Sequence, residues 1–401
     1  MKPDHKKILV FTATRAEYGL FRPVIREAGK YFDIQLLVGG SHLSPEEGNT
    51  IREILADKPD NVRLLPFLLS SRLPQALTVS VGNGLIQMAQ VLQEFEPDFL
   101  MVLGDRYEIF IPIIPALLHN IPIIHIHGGE KTLGAIDEQI RHAVTKMSHI
   151  HFVASMQYAD NVSRMGEEDW RIFVIGAPGL DNIRKRKSCS LTAIRKDMGV
   201  DLSKPTVLCT YHPVTLEGVS DIHYQINNLI SALLEFDVQV IFTRPNAEVG
   251  SDIILRKIAG AVKAQPDSCF LFDSLGTRLY HSIMGLCRAV VGNSSSGILE
   301  APFLKVPTVN IGTRQTGRIM ASSVIQCGYA KREIKKALDQ ALHDFEFRKK
   351  INNMTCPFGD GKAGVYAASS LREICSVSKE KILKKNLDFS SHPESWHTFW
   401  S

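Results

Sequence analysis

Carboxylates, histidines and arginines collect just after short aliphatic runs, where a sheet would present them to a ligand. Val102-Leu103 leads into Gly104-Asp105-Arg106-Tyr107-Glu108, and the next aliphatic run ends His125-Ile126-His127-Gly128-Gly129-Glu130. Asp137 then opens a segment whose apolar residues Ile136, Ile140, Ala143, Val144 and Met147 follow helical spacing. Asp105, Glu130 and Asp137 thus stand near converging strand ends. Like charges crowded in a partly dry site push one carboxyl pKa upward, as general acid–base chemistry requires. Helix capping is the plain alternative for both Asp105 and Asp137. Strand alternation puts His125 and His127 on one face, and two glycines allow a sharp turn that presents Glu130. A metal site is conceivable from His, His and Glu, but H-x-H at a strand end without other clear ligands is a weak metal signal, and none is expected. Arg15, after the first aliphatic run and at the start of a helical segment, can meet an anion through charge and free backbone N–H groups, or else pair with Glu17.

The second half offers different chemistry. Tyr211-His212-Pro213-Val214-Thr215 follows a strand-like run, and a loop histidine is the usual proton carrier near neutral pH. Arg244-Pro245-Asn246 follows the next run. In Val291-Gly292-Asn293-Ser294-Ser295-Ser296-Gly297-Ile298-Leu299-Glu300, a strand gives way to small hydroxyl residues and a helix. Backbone N–H groups and the Ser294 and Ser295 hydroxyls suit a phosphate, while Glu300, a turn further on, suits ribose hydroxyls. A serine cap with a dipole-friendly Glu is the plain alternative. Arg314 adds a cation after the following strand. No G-x-G-x-x-G follows the first strand, Gly361-Lys362 lacks the rest of a P-loop, and the cysteines lack zinc spacing.

The elements that must position these residues follow a βαβα order, the pattern of a doubly wound α/β layer. Strands are expected at Ile8–Phe11, Ile34–Val38, Phe99–Leu103, Ile121–Ile126, His151–Ala154 and Phe173–Ile175. Their continuous apolar character suits strands buried on both faces. Helices are expected at Gly19–Lys30, Val81–Glu94 and Asp137–Met147. Residues 181–204, charged and without a strand run, read as a connection. A second series follows at Thr206–Thr210, Val238–Phe242, Cys269–Phe272, Ala289–Gly292 and Thr308–Ile311. The expected architecture is α/β, with two Rossmann-like domains facing a cleft. The first spans 1–180 with the carboxylates, the second 181–365 with the anion cradle, and 366–401 forms a C-terminal helix and polar tail, loose from about Asn386.

Composition bounds the partners. The 401 residues carry 46 Lys and Arg against 42 Asp and Glu, a net +4 that points to neither nucleic acid nor membrane. Ile109–Ile126 is the most membrane-like stretch, but Pro112, Pro115 and Pro122 break it into a buried helix, a turn and a strand. Seven cysteines, all from Cys189 onward and without a C-x-x-C pair, suit reduced thiols in a cytoplasmic protein.

In order along the chain, Thr14-Arg15-Ala16-Glu17-Tyr18, Gly48-Asn49-Thr50, Leu103-Gly104-Asp105-Arg106, His125 to Glu130, Ile136-Asp137 through Arg141-His142, His212-Pro213-Val214-Thr215, Pro245-Asn246, Gly292 to Gly297 with Glu300, and Gly312-Thr313-Arg314-Gln315 closely resemble the hydrolysing UDP-N-acetylglucosamine 2-epimerases of sialic acid biosynthesis. The ordered set covers about residues 8 to 320. The resemblance implies a glycosyltransferase-B-like fold, a UDP-sugar partner, no metal or redox cofactor, and a homodimer or homotetramer. The implied reaction is anti elimination of UDP to a 2-acetamidoglucal, then hydration to free N-acetylmannosamine. By motif match, Arg15, Arg106, His212, Asn246, Ser294, Ser295, Glu300 and Arg314 would hold UDP. Asp105, Glu130 and Asp137 would move protons or orient the sugar, with His212 a further candidate. Many relatives carry a catalytic Glu where this chain has His127, so that role falls to His127 or Glu130. Some relatives also have a ligand-contacting Ser at the position of Gly19. Rival readings keep the chemistry but change the substrate to UDP-2,4-diacetamido-2,4,6-trideoxyglucose, keep a reversible epimerase, or drop catalysis for nucleotide-sugar binding.

Overall fold

Short aliphatic runs separated by helical segments pair in parallel, because each helix carries the chain back across a sheet face before the next strand begins. The computed structural model describes residues 5–71, 73–131, 136–185, 188–214, 219–245 and 250–386. It forms two compact units, one from the described residues up to Arg184 together with those from Phe358 onward, the other from Lys185–Pro357.

The first unit holds β1 (Lys7–Thr12), β2 (Asp33–Gly39), β3 (Asn61–Leu65), β4 (Phe99–Leu103), β5 (Ile123–Ile126), β6 (Ile150–Val153) and β7 (Ile172–Val174). These form one parallel sheet in the order β3-β2-β1-β4-β5-β6-β7. The second unit holds β8 (Thr206–Thr210), β9 (Gln239–Thr243), β10 (Cys269–Phe272), β11 (Ala289–Gly292), β12 (Thr308–Ile311) and β13 (Val324–Cys327), parallel and ordered β10-β9-β8-β11-β12-β13. In both sheets the order reverses between the first and fourth strands, so the loops after β1 and β4, and those after β8 and β11, diverge and leave a crevice. Ligands of open α/β sheets bind there.

The central strands are buried on both faces, and helices cover them on each side. Every strand expected from an apolar run forms, within two residues at either end. The two strands without such an expectation, β3 and β13, are edge strands: β3 carries exposed Asn61 and half-buried Arg63, and β13 carries exposed Gln326. A strand that faces water on one side does not read as an aliphatic run. Ile109–Ile126 resolves into the helix Phe110–Leu118, a turn and β5. No described helix is long and apolar enough to cross a membrane.

The segment after residue 180 departs from the sequence expectation. The helix Pro178–Lys185 belongs largely to the first unit, and the C-terminal stretch is no separate piece. Buried Asp181 accepts hydrogen bonds from the backbone N–H groups of Ala363 (2.8 Å) and Gly364 (3.0 Å), capping the helix Ala363–Ile374. That helix packs on the helix Arg15–Ala28 where Gly364 lies so close that a Cβ would sit 2.4 Å from the Pro23 carbonyl oxygen. The polar composition of 181–204 disguised this: Asp181 satisfies orphan helix donors inside the fold rather than facing water. The tail read from Asn386 falls outside the described residues, except that the Asn386 N–H donates to Glu168 (3.3 Å). Asp181→Ala leaves two buried N–H groups unpaired, and a loss of about 1–3 kcal/mol is expected in urea unfolding of the full chain.

Candidate functional site

In the first unit, the loop after β1 enters the helix Arg15–Ala28 through a capping box. Thr14 accepts from the Glu17 N–H (3.3 Å), while Glu17 accepts from the N–H groups of Ala13 (2.8 Å) and Thr14 (3.1 Å). Arg15 is exposed and pairs with Glu53 (2.9 Å), so the alternative pairing with Glu17 does not form. Across the divergence, Arg106 from the loop after β4 lies 4.0 Å from Glu17 and pairs with Glu108 at 2.7 Å. Burial pushes the Glu17 carboxyl up to about 7, and the neighbouring Glu108 adds to it, against the bonds from Ala13 and Thr14 and the charge of Arg106. Glu108 is itself buried, and its second carboxylate oxygen has no partner among the described residues.

The other carboxylates are gathered by Arg141, on the helix Ile136–Met147. Its guanidinium is almost fully buried and ion-pairs with Asp105; Nη1 also donates to the Glu130 carbonyl (2.9 Å) and to Glu138 (2.9 Å). Asp105 is therefore a partner of Arg141 and not a helix cap. Asp137 lies in the first turn of the same helix, whose preceding residues are outside those described. Burial holds its carboxyl above the usual range, reinforced by the charge of Asp105. The crowding of carboxylates expected from the sequence is realised for Asp105 and Asp137.

Beyond β5, His127 Nδ1 lies 2.5 Å from Glu130 Oε1, while His127 Nε2 is buried with no partner among the described residues. The residue has φ +68°, so it has left the strand and the expected shared face with His125 does not hold. His125 is fully buried, with Nε2 on the Gly104 carbonyl (2.8 Å) and Nδ1 near the Thr145 hydroxyl (3.4 Å). Burial pushes it down to about 3, so it is a neutral structural histidine. No group of three metal-binding side chains occurs among the described residues.

The second unit closes its crevice with amides. Fully buried Asn293 accepts from the His212 N–H (2.7 Å) and donates to the His212 carbonyl (2.8 Å). Gln315 in turn donates to the Asn293 carbonyl (2.8 Å), so the loops after β8, β11 and β12 are stitched together. Only glycine fits at 292: φ is +133°, and a Cβ would sit 1.9 Å from the Thr210 carbonyl oxygen. Ser295 is the N-cap of the helix Ser296–Phe303, yet its side chain makes no capping bond. Ser294 bonds Ser296 (3.1 Å), and Ser296 bonds Tyr280 (2.6 Å). Glu300, in that helix, meets His281 at 3.0 Å. Arg314 is half-buried after β12. Asn246 lies outside the described residues.

In the first unit Asp105 follows β4, His127 and Glu130 follow β5, and Asp137 opens the next helix; in the second, His212 follows β8, and Ser294, Ser295 and Glu300 follow β11. The sequence reading gave no role to Arg141, Glu17, Asn293, Gln315 or His281. The signal for Arg141 was present: it stands four residues after Asp137, on the same helix face.

The sequence model of the UDP-N-acetylglucosamine 2-epimerase family matches residues 26–372. A GDP/UDP-N,N'-diacetylbacillosamine 2-epimerase (hydrolysing) from Campylobacter jejuni is 36% identical over 87% of this chain and 89% of its own. A UDP-N,N'-diacetylbacillosamine 2-epimerase (hydrolysing) from Legionella pneumophila is 35% identical over 92% and 96%. Polysialic acid biosynthesis protein P7 from Escherichia coli is 35% identical over 96% of each chain. Among solved structures, a UDP-GlcNAc 2-epimerase from Neisseria meningitidis bound to UDP-GlcNAc superposes with a TM-score of 0.73 at 20% identity, covering 92% of this chain and 100% of that one. A UDP-GlcNAc 2-epimerase from Methanocaldococcus jannaschii gives 0.72, also at 20% identity with 92% and 100% coverage. These structural likenesses are of fold, of the glycosyltransferase-B type.

Two outcomes follow from the geometry. Because Glu17 titrates near 7 when folded and near 4.5 when unfolded, the folded chain holds the extra proton between those values. Its contribution therefore falls as pH rises through that window, and Glu17→Gln should flatten the decline by roughly 1–3 kcal/mol in denaturation measured at pH 5 and pH 8. Asn293→Ala should cost about 1–3 kcal/mol in urea unfolding of the full chain, since it unpairs both backbone groups of His212.

Proposed function

The chain belongs to the hydrolysing UDP-N-acetylglucosamine 2-epimerase family, and from that premise we propose that its substrate is UDP-N,N'-diacetylbacillosamine, a UDP-2,4-diacetamido-2,4,6-trideoxy sugar released as the free 2-epimer and UDP. The observation that carries the substrate is the pair of relatives at 36% and 35% identity, both named for that sugar and both aligned over most of their length. UDP-N-acetylglucosamine is the second reading. It is favoured by the 35% identity to protein P7 and by 31% identity to a UDP-N-acetylglucosamine 2-epimerase of Neisseria meningitidis.

The chemistry is supported by the carboxylates around Arg141. Removing the C2 proton as UDP leaves, and returning a proton to C2 from the other face after water adds, needs two groups with different proton affinities. Asp137, biased toward its protonated form, suits the return of a proton, and Asp105, ion-paired with Arg141, His127, Glu130 and His212 are the further members of the set. Arg15, Arg106 and Arg314 supply cations for the departing diphosphate. Ser294 and Ser295, at the start of their helix, hold phosphate oxygens, Glu300 takes the ribose hydroxyls, and Asn246 completes the nucleotide contacts.

Purified protein incubated with each nucleotide sugar tests the substrate. Release of UDP should show kcat/KM at least tenfold higher for the diacetamido sugar; equal or better use of UDP-N-acetylglucosamine overturns that choice. Asp105→Asn and Asp137→Asn should each cut kcat by 100-fold or more while UDP affinity stays within about threefold.

A further inference from the structure

We propose that His127, through Nε2, is the group that takes the proton from substrate C2, and that Glu130 acts on the imidazole and not on the sugar. This rests on the hydrolysing 2-epimerase reading. The carboxylate of Glu130 meets Nδ1 at 2.5 Å. A carboxylate on one ring nitrogen fixes the N–H there, and the lone pair then sits on the other nitrogen. That other nitrogen is the buried Nε2 without a partner among the described residues. Leaving such an atom unpaired costs about 1–3 kcal/mol, and a role in catalysis is one reason for a fold to retain it.

The backbone carries the same signature. His127 holds φ +68°, a left-handed conformation that side chains other than glycine and asparagine rarely adopt. Such strain, about 1–3 kcal/mol, persists only where the surroundings over-determine it, and it clusters at active sites. Here the surroundings do so. The His127 N–H donates to the Phe152 carbonyl (3.0 Å), and Asn161 donates to the Gly129 carbonyl (2.7 Å). A Cβ on Gly129 would lie 2.3 Å from the Tyr158 carbonyl oxygen. Arg141 grips the Glu130 carbonyl at 2.9 Å. The turn from His127 to Glu130 is thus pinned at four points, which fixes the dyad rather than one side chain.

His125 offers the contrast. It stands two residues earlier, with both ring nitrogens engaged inside the fold and its base form locked by burial. The charged and titratable groups around the dyad are Arg141 and Asp105 on one side, His125 on β5, and His151 beside it on β6. Arg141 is committed to Asp105 and Glu138, and His151 to Glu167 at 3.0 Å.

In the elimination, Nε2 accepts the C2 proton, the C2–H electron pair becomes the C1–C2 double bond, and the C1–O pair leaves with UDP. In the hydration, the water oxygen adds to C1 as its proton passes to a carboxylate. A carboxylic acid, Asp137 in the reading above, delivers a proton to C2 from the opposite face. Of the protons then held by His127 and the carboxylate, one restores Asp137 and one is released to solvent with UDP.

The test is the pH dependence of kcat for wild type, His127→Gln and Glu130→Gln, with UDP affinity as the measure of an intact fold. Expected for His127→Gln is a loss of at least 1,000-fold at every pH, with UDP affinity unchanged. Expected for Glu130→Gln is a loss of 10- to 100-fold, with the acid limb moved to lower pH because the imidazolium has lost its carboxylate. Glu130→Gln without activity at any pH, beside His127→Gln within tenfold of wild type, overturns the assignment. So does a Glu130→Gln acid limb that stays in place, which decides the matter even where His127→Gln does not fold. Wild type that releases neither free sugar nor UDP counts against the functional reading itself, a different outcome.

Discussion

One buried guanidinium organises the first unit's strand ends. Arg141 leaves water almost completely, which is tolerable only with paired charge and filled hydrogen-bond sites. Asp105 supplies the charge, Glu138 a second carboxylate, and the Glu130 carbonyl a backbone anchor. These partners come from the loop after β4, the turn after β5 and the helix that carries Arg141. Three segments that would otherwise end independently are therefore fixed with respect to one another. Nearby, burial and the charge of Asp105 together hold the Asp137 carboxyl above its usual range.

The second unit solves a similar problem without charge. Asn293 reads the backbone of His212 as a partner strand would, and Gln315 reads the backbone of Asn293. Neutral amides order the loops after β8, β11 and β12. The division is physical: one unit orders its strand ends around a buried charge, and the other through neutral amides.

Much of this is legible in the sequence. Residues 99–103 and 289–292 are apolar throughout because both faces of a central parallel strand are covered, and polar clusters after them mark the strand ends. The edge strands β3 and β13 carry no such mark, since one side of each faces water. The return of residues after Phe358 to the first unit depends on a single buried carboxylate, Asp181, in a stretch whose composition reads as solvent-exposed. Pairings across distant segments were likewise invisible. Nothing local in the sequence says that Arg141 meets Asp105 or that Arg15 pairs with Glu53. The left-handed backbone at His127 was hidden for a related reason. Strand alternation predicts a shared face with His125, but the turn imposed by Gly128 and Gly129 begins one residue sooner.

The most direct measurement on the central claim is proton NMR of the reaction run in deuterium oxide with the UDP-2-acetamido sugar. The account predicts equimolar UDP and a free sugar that is inverted at C2 and carries deuterium there, because the C2 proton is surrendered to the enzyme and replaced from solvent. A product that keeps its original C2 proton, or a 2-epimer still joined to UDP, would contradict it.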